Sequence, residues 1–480
     1  MNKTYLISQT SSFTLLILIS FAFAIIGIYY SKKFKGINNY LTANRSVGLF
    51  SLTTSLTASA LGAWILFGPA SAATWGGLGS IIGYSLGTAF PMFILIYLGK
   101  KIRKEFPQGS SLIEFMRKKF GKSLFKLILL MTIFYMFIFL CAEVTAVAIL
   151  INYMSGAELW TTALIVLFFT LLYTLYGGLR ASIFTDNIQM IVIIIILIFS
   201  FIYIYSFMGN QFSFSFVKEK NPHLISSSYV TGFTAGLTFF IAVAATNLFH
   251  QGNWQRVYAA KNFETLKKSL MISFFIIIPI VFFMGFSGMV AFSIDSTIRP
   301  DLGFFTLILK EQTTVLSFIV IILGLALTIS TVDTLINAIS SLIVVDGKAF
   351  FNFKKKINYL NFSQYIIVFL SLISFIIASK GFDILYLFLL ADLFCCSFVM
   401  TVFYSFYNKN FKEKTAYISI LTGLICGFLF FPSPDFSKSL LVGVLIPKEL
   451  FAPFISQSLL FLSFVIATFL PFLVIRAKKF

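Results

Sequence analysis

The sequence predicts an all-α polytopic membrane protein with about 13 transmembrane helices. Three observations carry that expectation. Only 11% of the 480 residues are charged and 59% are hydrophobic, whereas a soluble domain typically carries about 25% charged residues. Apolar stretches of roughly 20 residues, the length of helix that crosses the hydrocarbon core, recur along the whole chain. Basic residues cluster between alternate stretches, as they do when one face of a membrane retains them.

In order, the stretches place helices at 12–30, 49–75, 78–99, 123–154, 159–177, 182–208, 228–250, 267–292, 314–345, 360–379, 382–406, 415–431 and 453–475. The first follows a single Lys and has no small-residue cleavage site, so it reads as a retained span. The fourth and ninth are long enough to tilt strongly or project beyond the bilayer. The longest inner connection, 100–122, contains Ser111-Leu-Ile-Glu114, the spacing of a capping box opening a short amphipathic helix. No loop is long enough for a separate soluble domain, so residues 1–480 read as one membrane domain.

Charge fixes the expected orientation. Lys32, Lys33, Lys35 and Arg45, then Lys100 to Lys126, Arg180, Arg256 to Lys268, Lys348 to Lys356, Lys409 to Lys414 and Arg476 to Lys479 all fall on one side. Together they hold most of the 36 basic residues. The N-terminus is therefore expected outside and the C-terminus in the cytoplasm, in the cell inner membrane. The net charge of +19 is mostly topogenic, which excludes a nucleic-acid partner. The partners expected are a small-molecule solute, an ion and the lipid bilayer, with no obligate protein partner evident. Cys141, Cys395, Cys396 and Cys426 lie in apolar stretches and read as buried thiols. The 62 Phe residues read as compositional bias.

An acid at a helix centre costs roughly 2.5–3.5 kcal/mol on insertion scales. Glu143, Asp333 and Asp392 sit well inside spans, and Asp186 lies near the inner end of the sixth. Each either joins neighbouring helices or lines a path. In the ninth span Ser330, Asp333/Thr334, Asn337 and Ser340/Ser341 fall on one stripe with Thr331 beside it. Such a stripe faces protein or water and suits a cation or solute path. The second span is punctuated by Gly62, Gly68, Gly76, Gly77, Gly79 and Pro69. A helix interrupted there frees backbone carbonyls for a small hard cation; close helix packing is the alternative use of small residues.

Three segments together resemble the sodium:solute symporter family. They are Tyr173-Thr-Leu-Tyr-Gly177-Gly178-Leu-Arg-Ala181 continuing to Thr185-Asp186-Asn-Ile-Gln189, Ser330-Thr331-Val-Asp333-Thr334-Leu-Ile-Asn337-Ala338, and Arg45-Ser-Val-Gly48 through Trp64 to Gly77. The resemblance implies a LeuT-type fold of two inverted five-helix repeats, 49–208 and 228–406. The helix at 12–30 precedes them, and two C-terminal helices, 415–475, follow. It implies Na+ as coupling ion, held by the carbonyls of Ala58, Leu61 and Leu327 and the hydroxyls of Ser330 and Thr331. Asp186 corresponds to a carboxylate that the family places on the inner sodium exit path, or at a second sodium site in some members, and Asp333 belongs to the same candidate path. Ala60 stands where proline carriers of the family have Asp, which argues against proline as solute.

The candidate solute contacts are Trp64, Glu143, Thr246, Asn247 and His250. The last three fit the inner mouth of the seventh span equally well, and Glu143 also fits a proton-coupling role. The expected function is secondary active transport, with inward sodium flow coupled to uptake of a small polar solute by alternating access. A proton-coupled carrier on the same scaffold and a transporter-like sensor are the alternatives. An enzyme is not expected: there is no HExxH pair, the only histidines are His223 and His250, and no nucleotide-binding loop is present.

Overall fold

The computed structural model describes residues 5–351, 357–408, 411–434, 436, 438–439, 441 and 459–477. The start of the expected 453–475 span, and Lys354 to Lys356, Lys409, Lys478 and Lys479 of the orientation argument, lie outside the described residues. The helices are α1 Gln9–Ser31, α2 Ile37–Thr42, α3 Leu49–Ala60, α4 Gly68–Glu105, α5 Leu112–Lys119 and α6 Lys122–Ser155. They continue with α7 Leu159–Met208, α8 Phe214–Lys220, α9 Val230–Phe249, α10 Gln251–Ala259, α11 Phe263–Ile294 and α12 Gly303–Ile308. Last come α13 Thr314–Phe351, α14 Tyr359–Ala378, α15 Ile384–Tyr407, α16 Glu413–Phe430 and α17 Leu459–Ala477. The fold is all-helical. Among the described residues the only extended pairing is two isolated bridges.

Eleven of these helices are long and apolar enough to cross a membrane. Two of the eleven double back on themselves. Residues eight apart in a straight helix stand about 12 Å apart along its axis, yet the Ser80 hydroxyl donates to the Ala72 carbonyl at 3.0 Å. In α7, Tyr173 and Ser182 both donate to the carboxylate of Asp333. The reversals sit at Gly77 (φ 54°, ψ −149°) and Gly178 (φ 57°, ψ −154°), a backbone that glycine adopts without penalty. Space requires glycine too: a Cβ would stand 2.2 Å from the Leu224 carbonyl oxygen at Gly77, and 2.4 Å from the Tyr40 ring at Gly178.

Two further interruptions matter more. The stretch expected as one helix over 49–75 stops at Ala60 and runs non-helically through Leu61 and Gly62. It makes a 3-10 turn over 63–66 and restarts at Gly68. Pro69 does not cause the break. It sits in the first turn of α4, where its missing N–H leaves nothing unsatisfied.

The second break corrects an expectation. His250 leaves the helical region (φ −59°, ψ 109°), and α10 follows with all 9 of its residues buried. Arg256 is therefore not part of an inner loop but wholly enclosed. Polar side chains satisfy the backbone freed there. Trp254 Nε1 donates to the Leu248 carbonyl at 2.7 Å, and Asn253 Nδ2 to that of Asn247 at 2.9 Å.

α13 runs through the middle of the bundle against α6 and α7, while α4 packs on α9 and α11. At one end α5 opens as its sequence predicts, the Ser111 hydroxyl accepting from the Glu114 N–H at 3.0 Å. The Glu114 carboxylate accepts from the N–H of Ser110, one residue before the usual capping-box position. α5 docks through Leu112, Ile113, Phe115 and Met116, and Arg117 pairs with Asp346 of α13 at 3.4 Å.

Candidate functional site

The break after Ala60 faces two other helices. The Ala63 N–H donates to Glu143 Oε2 of α6 at 2.8 Å. A Cβ on Gly62 would lie 2.2 Å from Glu143 Oε1 and 2.9 Å from the Thr331 hydroxyl of α13. Glu143 Oε1 is buried without a hydrogen-bond partner. Thr331 donates to the Leu327 carbonyl at 3.1 Å, and the Ala58 carbonyl accepts from Leu61 N–H at 3.2 Å. The break that follows Leu61 thus stands beside Thr331, one turn along α13 from Leu327. Every group offered there is an oxygen, the ligand type a hard monovalent or divalent cation prefers.

Ser330 belongs to an adjoining network. Its hydroxyl donates to Asp186 Oδ1 at 2.6 Å. Asp186 Oδ2 accepts from Ser55 at 2.5 Å and from Arg256 Nη2 at 2.8 Å. Arg256 also donates to Ser55, to the Gly252 carbonyl and to Thr334. Both members of the ion pair are fully enclosed, so each relies on the other for charge compensation. One helical turn away along α13, Asp333 accepts from Tyr173 at 2.5 Å, Ser182 at 2.8 Å and Thr185 at 3.1 Å. These hydroxyls come from both arms of α7, so Asp333 ties the doubled helix to α13.

A cavity of about 30 Å³ lies between the two interruptions. Ala60 and Trp64 approach it from the first break and Asn247 and His250 from the second. Thr331 is on its wall, which makes that residue common to the cavity and the oxygen cluster. Of the expected solute contacts, Trp64, Thr246, Asn247 and His250 line the cavity. Glu143 does not, standing behind the first break. Tyr84, Phe139, Phe388 and Asp392 complete the wall. Trp64 stacks on Tyr84 at 5.6 Å, and Phe139 meets Phe388 edge-on at 4.7 Å. Asp392 Oδ1 accepts from the Thr246 hydroxyl at 2.6 Å.

One turn along α15 from Phe388, Ile384 and Leu385 line a second cavity of about 900 Å³ that opens to the surface. Ser71 and Trp75 of α4, Arg299, Asp301, Lys380 and Asp383 also border it. The large surface cavity therefore lies next to the small chamber, one helical turn away along α15.

The model of the sodium:solute symporter family matches residues 40–423. The chain belongs to that family. It is a secondary transporter of a solute, of the sodium-coupled class. Among relatives it is 26% identical over 431 residues to the spermidine transporter DUR31 of Candida albicans, covering 87% of this chain and 80% of that one. It is 23% identical over 303 residues to the sodium/glucose cotransporter of Vibrio parahaemolyticus, 56% of this chain and 53% of that one. The match to sodium/glucose cotransporter 4 of Danio rerio spans only 24% of that protein. In fold, the symporter resembles the substrate-bound outward-open state of a Na+-coupled sialic acid symporter (TM-score 0.69, 17% identity, 98% and 97% of the two chains). It also resembles the inward-facing conformation of Mhp1 (TM-score 0.53, 14% identity, 91% and 92%).

Four participants are unmarked in the sequence. Arg256 hid in a polar run after an apolar span, where a loop charge is the ordinary expectation. Tyr84, Phe139 and Phe388 are three aromatics in a chain full of them, and nothing local marks them out. Asp392 carried a signal, being an acid in a span, but no neighbouring polar stripe said what it faces.

Proposed function

We propose that this symporter couples inward sodium flow to uptake of a small polar solute by alternating access, across about thirteen membrane crossings. The proposed topology sets 49–208 and 228–406 as inverted repeats, each opening on one of the two interrupted helices. The N-terminus lies outside and the C-terminus in the cytoplasm of the cell inner membrane. Na+ is proposed to bind among the Ala58, Leu61 and Leu327 carbonyls and the Ser330 and Thr331 hydroxyls. One observation carries the reading: Thr331 belongs both to the oxygen cluster and to the chamber wall. An ion drawn to Thr331 fixes the chamber's shape, so ion and solute binding reinforce each other.

In this mechanism sodium and solute enter through the large mouth. Closure of the mouth and opening beyond Arg256 release them inward, with Asp186 and Asp333 along the ion's route. One charge moving through 100 mV supplies roughly 2.3 kcal/mol, and a tenfold gradient adds about 1.4 kcal/mol. Their sum of about 3.7 kcal/mol sustains several hundredfold accumulation of a neutral solute, at about 1.4 kcal/mol per tenfold.

The test is solute uptake into proteoliposomes against sodium concentration. Ser330→Ala with Thr331→Ala is expected to raise the half-maximal sodium concentration at least tenfold at equal protein abundance; an unchanged sodium curve refutes the site. The buried, unpartnered Glu143 Oε1 favours proton coupling as the rival. In that case uptake persists when sodium is removed at fixed pH.

A further inference from the structure

The chamber wall has an unusual charge balance. Asp392 is a carboxylate only 4% exposed, and its partner is a neutral hydroxyl, Thr246. Among the described residues no Lys or Arg pairs with it; the enclosed Asp186 and Asp346 each have an Arg, and Asp333 and Glu143, also without one, do not line the chamber. A buried carboxylate without a cation is costly unless something supplies the opposite charge. The wall around it is aromatic, lined by Trp64, Phe139 and Phe388, with Tyr84 stacked against Trp64 and Phe239. The faces of such rings attract cations, and none of the protein's own cationic side chains covers any of these rings among the described residues. His250, on the same wall, leaves Nδ1 without a partner.

Resting on the transport reading above, we propose that the solute is an organic cation carrying a protonated amine, whose ammonium group sits in the chamber against Asp392 under the aromatic rings. The alternatives fit the wall less well. A carboxylate or phosphate solute meets Asp392 with no basic partner to receive it. A sugar needs a dense set of neutral donors and acceptors, whereas the neutral polar groups of this wall, Ser59, Thr246, Asn247, His250 and Thr331, are set among rings, and Thr331 and Thr246 already donate to Leu327 and Asp392. Asn247 Nδ2 is already donating to the Val243 carbonyl at 3.0 Å. A bare metal ion prefers a shell of oxygens, and the oxygens gather instead around Thr331 and the first break. An alkylammonium ion matches both halves of the wall, its N–H groups on the carboxylate and its methylenes on the rings. The chamber's volume of about 30 Å³ suits the head of such a molecule, with the tail directed toward the larger mouth.

The experiment measures binding to purified protein in sodium by calorimetry, using n-butylamine, 1,4-diaminobutane and tetramethylammonium against glucose, proline and pyruvate. Uptake of the same compounds into proteoliposomes follows with and without a sodium gradient. Amines alone are expected to bind and accumulate, with Asp392→Asn weakening amine binding at least tenfold. Trp64→Leu is expected to weaken tetramethylammonium more than n-butylamine, because the quaternary ion has no N–H for Asp392. The sodium-dependent melting temperature of each variant controls for folding. Sodium-driven accumulation of a neutral or anionic compound, with no amine bound, overturns the amine inference and leaves the transporter reading standing. Sodium-driven accumulation of none of them, with amine binding intact, overturns the transporter reading instead. An Asp392→Asn variant that keeps its amine affinity, or loses only sodium affinity, overturns the placement of the ammonium on Asp392.

Discussion

Arg256 makes hydrogen bonds to four different residues and is fully enclosed, with Asp186 as its counter-charge. Removing one member of a buried pair strands the other, a loss of about 3–5 kcal/mol. Arg256→Ala is therefore expected to lower the melting temperature sharply in detergent and to reduce abundance in the membrane. Arg256→Lys keeps the charge but not the planar fork that reaches Ser55, Gly252, Asp186 and Thr334 together, so it recovers only part. Arg256→Gln combined with Asp186→Asn is expected to melt above Arg256→Ala, because no charge is left unpaired. If the double variant melts no higher, the arginine's role is packing and not charge compensation. The pair also explains why Asp186 was legible and its partner was not. An acid inside a span signals expense by itself, whereas an arginine beyond a span looks like any loop cation until the fold buries it.

Interrupted helices are where element-scale reasoning succeeded at one place and failed at another. Glycines in the second span announced a break, yet it falls at Leu61–Gly62 and not at Pro69, which sits in the first turn of α4. Glu143 supplies the acceptor that Ala63 lost when the helix opened. The break at His250 had only Gly252 to mark it, and Trp254 and Asn253 cap it from further along the chain. Length and hydropathy fixed most of the spans, and the two glycine reversals at Gly77 and Gly178 lie between stretches already read as separate. The first break yields a sharp prediction. Gly62 has an ordinary extended backbone (φ −89°, ψ −175°), so Gly62→Ala acts through its Cβ alone, against Glu143 and Thr331. Gly48→Ala, whose Cβ meets nothing within 4 Å, is the control. Sodium titration of uptake is expected to shift at least tenfold for Gly62→Ala and hardly at all for Gly48→Ala. Equal behaviour of the two would detach the break from ion binding.

At the scale of the whole molecule the two ends differ. A mouth of about 900 Å³ opens beside α15, while at the other end α5 is clasped to α13 through Ser111, Arg117 and Asp346. The chamber lies between an open side and a closed one, an arrangement that alternating access must invert in each cycle. If sodium ties α3 to α13 in the state open at the mouth, sodium binding stabilises that state by its differential affinity for it. Single cysteines then report the balance. Leu385→Cys samples the mouth, and Ser110→Cys samples the clasped end, where the Ser110 carbonyl accepts from Gln251. The native cysteines are three buried thiols and one half-buried thiol, so the unsubstituted protein supplies the baseline. Replacing potassium by sodium is expected to speed labelling of Leu385→Cys by a polar maleimide and to slow that of Ser110→Cys. Opposite changes at the two positions are the signature of a rigid exchange between two states. Labelling that rises or falls together at both would mean that sodium loosens or tightens the bundle as a whole, and alternating access about this chamber would fail.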